Sequence, residues 1–211
     1  MHLSSTQKQF FRLMLAALFL ATASSMSSQV TPASRGGASS QLAVGGGISY
    51  FNVDWGRSRM EGYTLWADWR PPMMPHFLNG LHLELEGRDI SLNPGDKPSS
   101  FREAVGSGGA MYEWRHYRKF RPYAKGLIGF GGINFGHNIG APPPYKPYSH
   151  ETRTVYAPGF GVEYRAFGNI WARADYEYQF WPNLTGHTFL NPQGITAGLM
   201  SDFGRWGRRY Q

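Results

Sequence analysis

The chain contains no cysteine, which removes disulfides, thiol catalysis and thiolate metal sites together. Beyond its first twenty residues it has no stretch approaching 18 uninterrupted apolar residues, so no spanning helix is expected there. Charged residues make up only 17% of the 211, with a formal sum of +7 that falls to about +5 once Lys8 and Arg12 are set aside. An excess of that kind can mark a nucleic-acid partner. Here the positive residues are not gathered in one patch. Most sit beside Glu or Asp in alternating segments, or in turns such as 115–121. Nucleic acid is therefore not an expected partner, and an anionic lipid headgroup or lipopolysaccharide phosphate suits the distribution better.

The sequence opens with an acid-free start carrying Lys8 and Arg12, then the apolar run Leu13 to Leu20, then Ala21-Thr22-Ala23. This is the pattern of a cleavable secretory signal peptide over 1–23. Its apolar run is shorter than the ~20 residues of a spanning helix. With no cysteine after the cleavage site, a lipoprotein anchor is excluded. Residues 24–40, rich in Ser, Thr, Ala and Gly, read as a flexible periplasmic lead-in. The remainder is enough for one domain and not comfortably two.

That remainder alternates. In 168–180, Ala172, Ala174, Tyr176, Tyr178 and Phe180 interleave with Arg173, Asp175, Glu177 and Gln179. Successive strand side chains point to opposite faces, so one face is apolar and aromatic while the other carries charges of both signs. The same rhythm recurs in seven further segments: 42–54, 61–70, 80–92, 103–116, 122–135, 154–165 and 194–203. In the third of these in chain order, Leu81, Leu83 and Leu85 alternate with His82, Glu84, Glu86 and Arg88. Each segment has about the length a tilted strand needs to cross a membrane. The mean hydropathy is negative, but alternating strands average out their own hydrophobicity.

The pattern predicts an all-β fold: an eight-stranded antiparallel transmembrane β-barrel over 41–203, followed by a C-terminal tail over 204–211. Connections after odd-numbered strands, including the long 136–153, read as external, and the mostly shorter ones after even-numbered strands as periplasmic. Tyr50, Trp55, Trp69, Tyr112, Trp114, Tyr164, Trp171 and Trp181 fall at segment ends and read as aromatic girdles at headgroup level. An eight-stranded barrel is just wide enough for side chains to fill it. The inward set predicted by alternation is Asp68, Arg70, Glu84, Glu86, Arg88, Glu113, Arg115, Lys125, Glu163, Arg165, Arg173, Asp175 and Glu177, seven acids and six bases. Near balance of that kind lets them pair as a ladder of salt bridges with trapped water, since unpaired buried charges cost several kcal/mol each.

Three stretches carry a family resemblance: Arg121-Pro-Tyr-Ala-Lys-Gly-Leu-Ile-Gly-Phe-Gly-Gly132, Pro158-Gly-Phe-Gly-Val-Glu-Tyr-Arg165 and Gly194-Ile-Thr-Ala-Gly-Leu199. With them the chain resembles the small outer-membrane β-barrels, the group that includes the OmpA transmembrane domain. The resemblance covers about 41–203. It implies a cell outer-membrane protein of a Gram-negative bacterium, inserted by the barrel-assembly machinery through a closing strand whose terminal aromatic is Phe203. Ser201 departs from the usual hydrophobic residue in that signal, and the chain continues past the aromatic. Nothing matches a peptidoglycan-binding domain.

Catalysis and metal binding have little to stand on. Ser149, His150 and Glu151 are consecutive, so in an extended chain Ser149 and His150 point apart, which a hydrolytic triad does not allow. His137, His150 and His187 lack metal-ligand spacing. No cofactor or enzymatic activity is expected. The expected role is structural or interactive, with a plugged interior passing small ions slowly at most. Tyr145 and Tyr148 in the 136–153 loop are the surface-contact candidates, beside the stiff Pro142-Pro-Pro144. A monomer is expected. Two alternatives stay open: an exported lipocalin-like barrel holding a small apolar ligand, with the two faces inverted, and an outer-membrane lipid-modifying enzyme.

Overall fold

Alternation repeated eight times closes on itself. The computed structural model describes residues 41–53, 59–71, 78–92, 101–114, 119–139, 148–184 and 188–203. Its strands are β1 Gln41–Asn52, β2 Arg59–Arg70, β3 Leu81–Leu92, β4 Arg102–Glu113, β5 Phe120–Ile139, β6 Tyr148–Phe167, β7 Ile170–Tyr178, β8 Trp181–Leu184, β9 Thr188–Leu190 and β10 Gln193–Asp202. Eight of them form one closed antiparallel barrel in the order β1-β10-β7-β6-β5-β4-β3-β2, and β8 and β9 make a separate two-stranded sheet. Closure leaves no edge strand to be satisfied. Beyond the last barrel strand, the Phe203 N–H donates to the Leu42 carbonyl at 2.7 Å, so the two described ends of the chain meet at one end of the barrel.

Register follows from the pattern. A one-residue slip would send every side chain of a strand to the other face. Asp68 stands opposite Glu84 across β2 and β3, and Glu163 opposite both Arg121 on β5 and Arg173 on β7. At the end where the termini meet, the β6–β7 connection is tight: Gly168 takes a φ of +51°, a left-handed conformation that costs glycine little. Arg165 steadies this turn by donating to the Gly168 carbonyl at 3.1 Å.

Two expected connections hold more structure than the sequence showed. The strands on either side of the 136–153 segment run to Ile139 and from Tyr148, 20 residues each, with Asn134 paired to His150 and a register shift before Ile139 meets Tyr148. Residues 148–153 read in the sequence as part of a polar loop, but they pair with β5 as a strand does. The 181–193 segment contains the β8–β9 hairpin. It is tied to the wall where Phe180 bridges Tyr156.

Inside, the barrel has two apolar clusters. The larger lies at the end away from the termini and gathers Phe51, Val53, Met60, Ile90, Val105, Ile133, Phe135, Val155, Trp181 and Leu190. The smaller joins Ala43, Trp66, Trp171 and Met200 nearer the termini. Trp171 and Trp181 therefore correct the girdle assignment: both are fully buried, whereas Trp69, Trp114 and Tyr164 do face outward. Trp55 lies outside the described residues. Strand ends alone did not reveal that Trp171 and Trp181 have inward parity. Gly131 makes room for Trp181, because a Cβ there would stand 2.1 Å from the indole.

Candidate functional site

The distribution of side chains is inside-out relative to a water-soluble protein. Tyr63 (72% exposed), Phe130 (70%), Leu85 (68%) and Ile48 (67%) point away from the barrel, with many other large apolar residues around the same wall. Charged side chains fill the lumen between the two apolar clusters. No ordinary soluble surface carries an apolar belt of that extent, and it is the distribution a transmembrane barrel requires.

Three cations organise the lumen. Lys125 on β5 lies 2.6 Å from Glu86, 3.2 Å from Glu84, 3.1 Å from Glu177 and 3.6 Å from Asp175. Arg88 on β3 reaches across to Glu177 at 2.7 Å and along its own strand to Glu86 at 2.5 Å, while its Nε donates to the Thr64 hydroxyl at 3.1 Å. Arg173 on β7 uses every edge of its fork. It donates to Asp68 at 3.1 Å, Glu84 at 2.8 Å, Asp175 at 3.2 Å and the Tyr123 hydroxyl at 2.7 Å. The Tyr123 hydroxyl in turn donates to Asp175 at 2.9 Å. Ser49, Thr64 and Thr196 add hydroxyl contacts of 2.5 and 2.8 Å. Delocalised guanidinium planes suit this role, since they also stack on rings: Arg173 lies over Trp66 and Tyr123, and Arg88 over Phe51.

A second group lies nearer the termini. Glu113 pairs with Arg121 at 3.2 Å and lies 3.3 Å from His82, and Arg121 sits 3.9 Å from Glu163 while stacking on Trp171 at 3.5 Å. A small cavity lined by Asp68, His82, Glu113, Arg121, Glu163 and Asp202 opens here.

Ten of the thirteen residues assigned inward from the sequence are buried in the lumen: Asp68, Glu84, Glu86, Arg88, Glu113, Lys125, Glu163, Arg173, Asp175 and Glu177. The other three are not part of the described network. Arg70 is half-buried at the strand end, where it donates to the Asn79 side-chain oxygen at 3.5 Å. Arg165 serves the β6–β7 turn, because at the last turns of a strand inward parity no longer means burial. Arg115 lies outside the described residues. Sequence reasoning missed Glu103, Asp202, Arg121 and Tyr123 in this set, although each shares the parity of its inward neighbours; that signal would have found them. Among the described residues nine buried carboxyl groups face Arg88, Lys125, Arg173, the mostly buried Arg121 and His82.

Of the surface candidates, Tyr145 lies outside the described residues, and Tyr148 begins β6 opposite Ile139 instead of standing in a loop. Glu151 is taken by Arg153 at 2.7 Å, and exposed His150 meets the Thr152 hydroxyl at 3.2 Å. Among the described residues no three His, Asp or Glu side chains are grouped to hold a metal.

Comparison with known proteins adds the architecture by name. Neisserial surface protein A has a structure similar to this chain at a TM-score of 0.57 and 14% identity, covering 79% of this chain and 99% of its own. The fold is that of the small outer-membrane β-barrels. Ail, the attachment invasion locus protein of Yersinia pestis, is similar at a TM-score of 0.50 and 16% identity, covering 79% of this chain and 99% of its own. No family model and no curated sequence matches.

Proposed function

We propose that this small outer-membrane β-barrel resides in the outer membrane of a Gram-negative bacterium and plays a structural or surface-interaction role, its lumen closed to free diffusion. The observation that carries the reading is the inversion of faces: a wall of exposed Tyr, Leu, Ile and Phe around a lumen of ion pairs. A lipocalin-like barrel needs the opposite arrangement to hold an apolar ligand. The end where Gln41 and Phe203 meet faces the periplasm in this reading, and the long β5–β6 hairpin rises on the outer side, presenting exposed His150 and Thr152. Outer-membrane lipid and lipopolysaccharide are the surroundings of the apolar belt. The barrel-assembly machinery inserts the chain through β10 and the outward-facing Phe203. The two similar proteins bear names that describe a surface protein and an attachment protein, which agrees with an interactive role.

The first experiment is a Leu85→Arg substitution on the outward face, read by urea unfolding after refolding into lipid vesicles and by recovery in outer-membrane fractions. A charge at the bilayer midplane costs roughly 2–4 kcal/mol, and we expect a loss of that size together with a depleted membrane fraction. A fully stable Leu85→Arg protein recovered in the soluble periplasm would overturn the membrane reading. Heat-modifiability on a gel, in which the folded band migrates apart from the boiled one, provides the accompanying check of barrel formation.

A further inference from the structure

The apolar cluster away from the termini marks one level of the barrel, because strands all round the lumen contribute to it. Met60 comes from β2, Ile90 from β3, Val105 from β4, Val155 from β6, Trp181 from β8 and Leu190 from β9. The residues next to these in sequence point the other way, through the wall. Beside Met60 and Ile90 they are polar: Arg59 and Glu61 are exposed, and Asp89 pairs with Arg102, whose Nε donates to it at 2.7 Å. Beside Trp181 and Leu190 they are phenylalanines. Phe180 and Phe189 are exposed and stack, with ring centres 5.5 Å apart and planes 19° from parallel, and Tyr156 lies 6.5 Å from Phe180.

This aromatic patch is continuous with the apolar belt. Tyr176 and Tyr178 precede Phe180 on the outward face of the same wall, and Phe160 on β6 packs on Tyr176 at 5.5 Å. The polar Gln193 beside them accepts from the Tyr176 hydroxyl at 2.5 Å. On β3, by contrast, the apolar outward run ends at Leu85, and Gly87 is followed by Asp89. Phenylalanine has no polar atom to place among headgroups, unlike the Tyr and Trp of an interfacial girdle. We propose, building on the membrane reading above, that the outward face of the β8–β9 hairpin lies against the acyl chains of the outer leaflet. The lipid boundary then runs obliquely, higher at Phe180 and Phe189 than at Glu61 and Asp89. The hairpin works on both sides: Trp181 and Leu190 pack into the lumen, and the two phenylalanines meet lipid.

The absence of cysteine lets a single label be placed at will. Phe189→Cys, Leu85→Cys and Glu61→Cys each carry one nitroxide in the full chain, refolded into phosphatidylcholine vesicles. Power-saturation electron paramagnetic resonance then compares collisions with oxygen, which gathers in lipid, and with a neutral nickel chelate, which stays in water. We expect the oxygen-to-nickel ratio at Phe189 to approach that at Leu85 and to exceed that at Glu61 several-fold. Phe180→Cys gives the same reading from the barrel wall if Phe189→Cys does not fold. A hairpin label as open to nickel as the one at Glu61, with Leu85 still in lipid, would overturn the hairpin contact alone. Lipid-like ratios at Glu61 and Phe189 alike would overturn the oblique boundary. Nickel access at Leu85 would overturn the membrane reading, and this inference with it. Shielding of Phe189 from both reagents, with spin–spin broadening that grows with protein density in the vesicles, would assign the patch to a second copy of the chain and overturn the lipid contact.

Discussion

The two halves of the lumen solve the same packing problem with opposite chemistry. From the middle toward the termini, the space is filled mainly by Lys125, Arg173, Arg88 and their carboxylates, together with the small cluster of Ala43, Trp66, Trp171 and Met200. Toward the other end, it is filled by Phe51, Met60, Ile90, Ile133, Val155 and Trp181, all fully or nearly fully buried. Arg88 marks the boundary, its guanidinium 4.1 Å from the Phe51 ring centre and its Nη1 2.7 Å from Glu177. The charged half is a device of specificity: wrong registers leave charges unpaired, and pairing returns little net stability over an apolar filling. Its polar groups can accommodate water and small ions. The apolar half offers neither, so in the proposed reading of a plugged lumen it is the half that would hold the barrier to passage.

Removing one member of the charged half is expected to have the largest effect on stability. Arg173→Ala leaves Asp68, Glu84 and Asp175 without one of their cations and the Tyr123 hydroxyl without a donor. A buried pair broken from one side costs about 3–5 kcal/mol, to be read from urea unfolding of the refolded barrel. Trp181→Ala comes next, at about 3 kcal/mol, the low end for a buried aromatic, because the hairpin above can settle into the space. The two variants should part company in a planar bilayer. Trp181→Ala opens the apolar seal and should raise ion conductance, whereas Arg173→Ala leaves the seal in place and should not. Conductance raised by Arg173→Ala alone would move the barrier into the charged half.

A smaller step sharpens the apolar side. Gly131→Ala directs a methyl group into the Trp181 indole, and overpacking of this kind costs about 1–3 kcal/mol. If the clash with Trp181 is the cause, Gly131→Ala combined with Trp181→Ala should cost less than the sum of the two, as residues in contact do not add. Additive losses would mean that the glycine serves the wall and not the ring.

The contrast between halves also explains what could be read from the sequence. Period-two alternation announces itself wherever the two faces differ in kind, as at Leu83, Glu84, Leu85 and Glu86, and there strand, register and inward face were all legible. Where both faces are apolar or both polar, the signal fades. Inward Trp171 and Trp181 sit among outward aromatics and passed for girdle residues. The strand stretch 148–153 carries Ser, His, Glu, Thr and Arg and passed for loop. The network itself, who pairs with whom, depends on residues such as Lys125 and Glu177 that lie far apart in sequence and meet only across the lumen, on strands that are not neighbours in the sheet. Strand ends were harder to read for a related reason: parity continues to them, but burial does not always follow, so Arg70 and Arg165 were counted inward while the buried Glu103 and Asp202 were not.

The least costly prediction concerns the seam between the halves. Gln179 is fully buried and bonds in both directions: its amide nitrogen donates to Glu177 at 3.1 Å and its carbonyl accepts from the Trp181 indole at 2.8 Å. Glu177 in turn accepts from Arg88, so the seal and the charge network are joined through one side chain. Gln179→Leu keeps the volume but leaves the Trp181 N–H without its partner and removes a donor from Glu177. A net hydrogen bond contributes about 0.5–1.5 kcal/mol and an unmet buried donor about 1–3. Relief by Arg88, which still holds Glu177, argues for a total of about 1–2 kcal/mol in urea unfolding. More informative than the total is its coupling. If Gln179 transmits order between the halves, the losses from Gln179→Leu and Trp181→Ala should fall short of additive, and Gln179→Leu alone should raise bilayer conductance slightly while leaving the Arg88 to Glu177 pair intact. Strict additivity would mean that the seal stands without its link to the network, and that the two halves are neighbours in space but independent in energy.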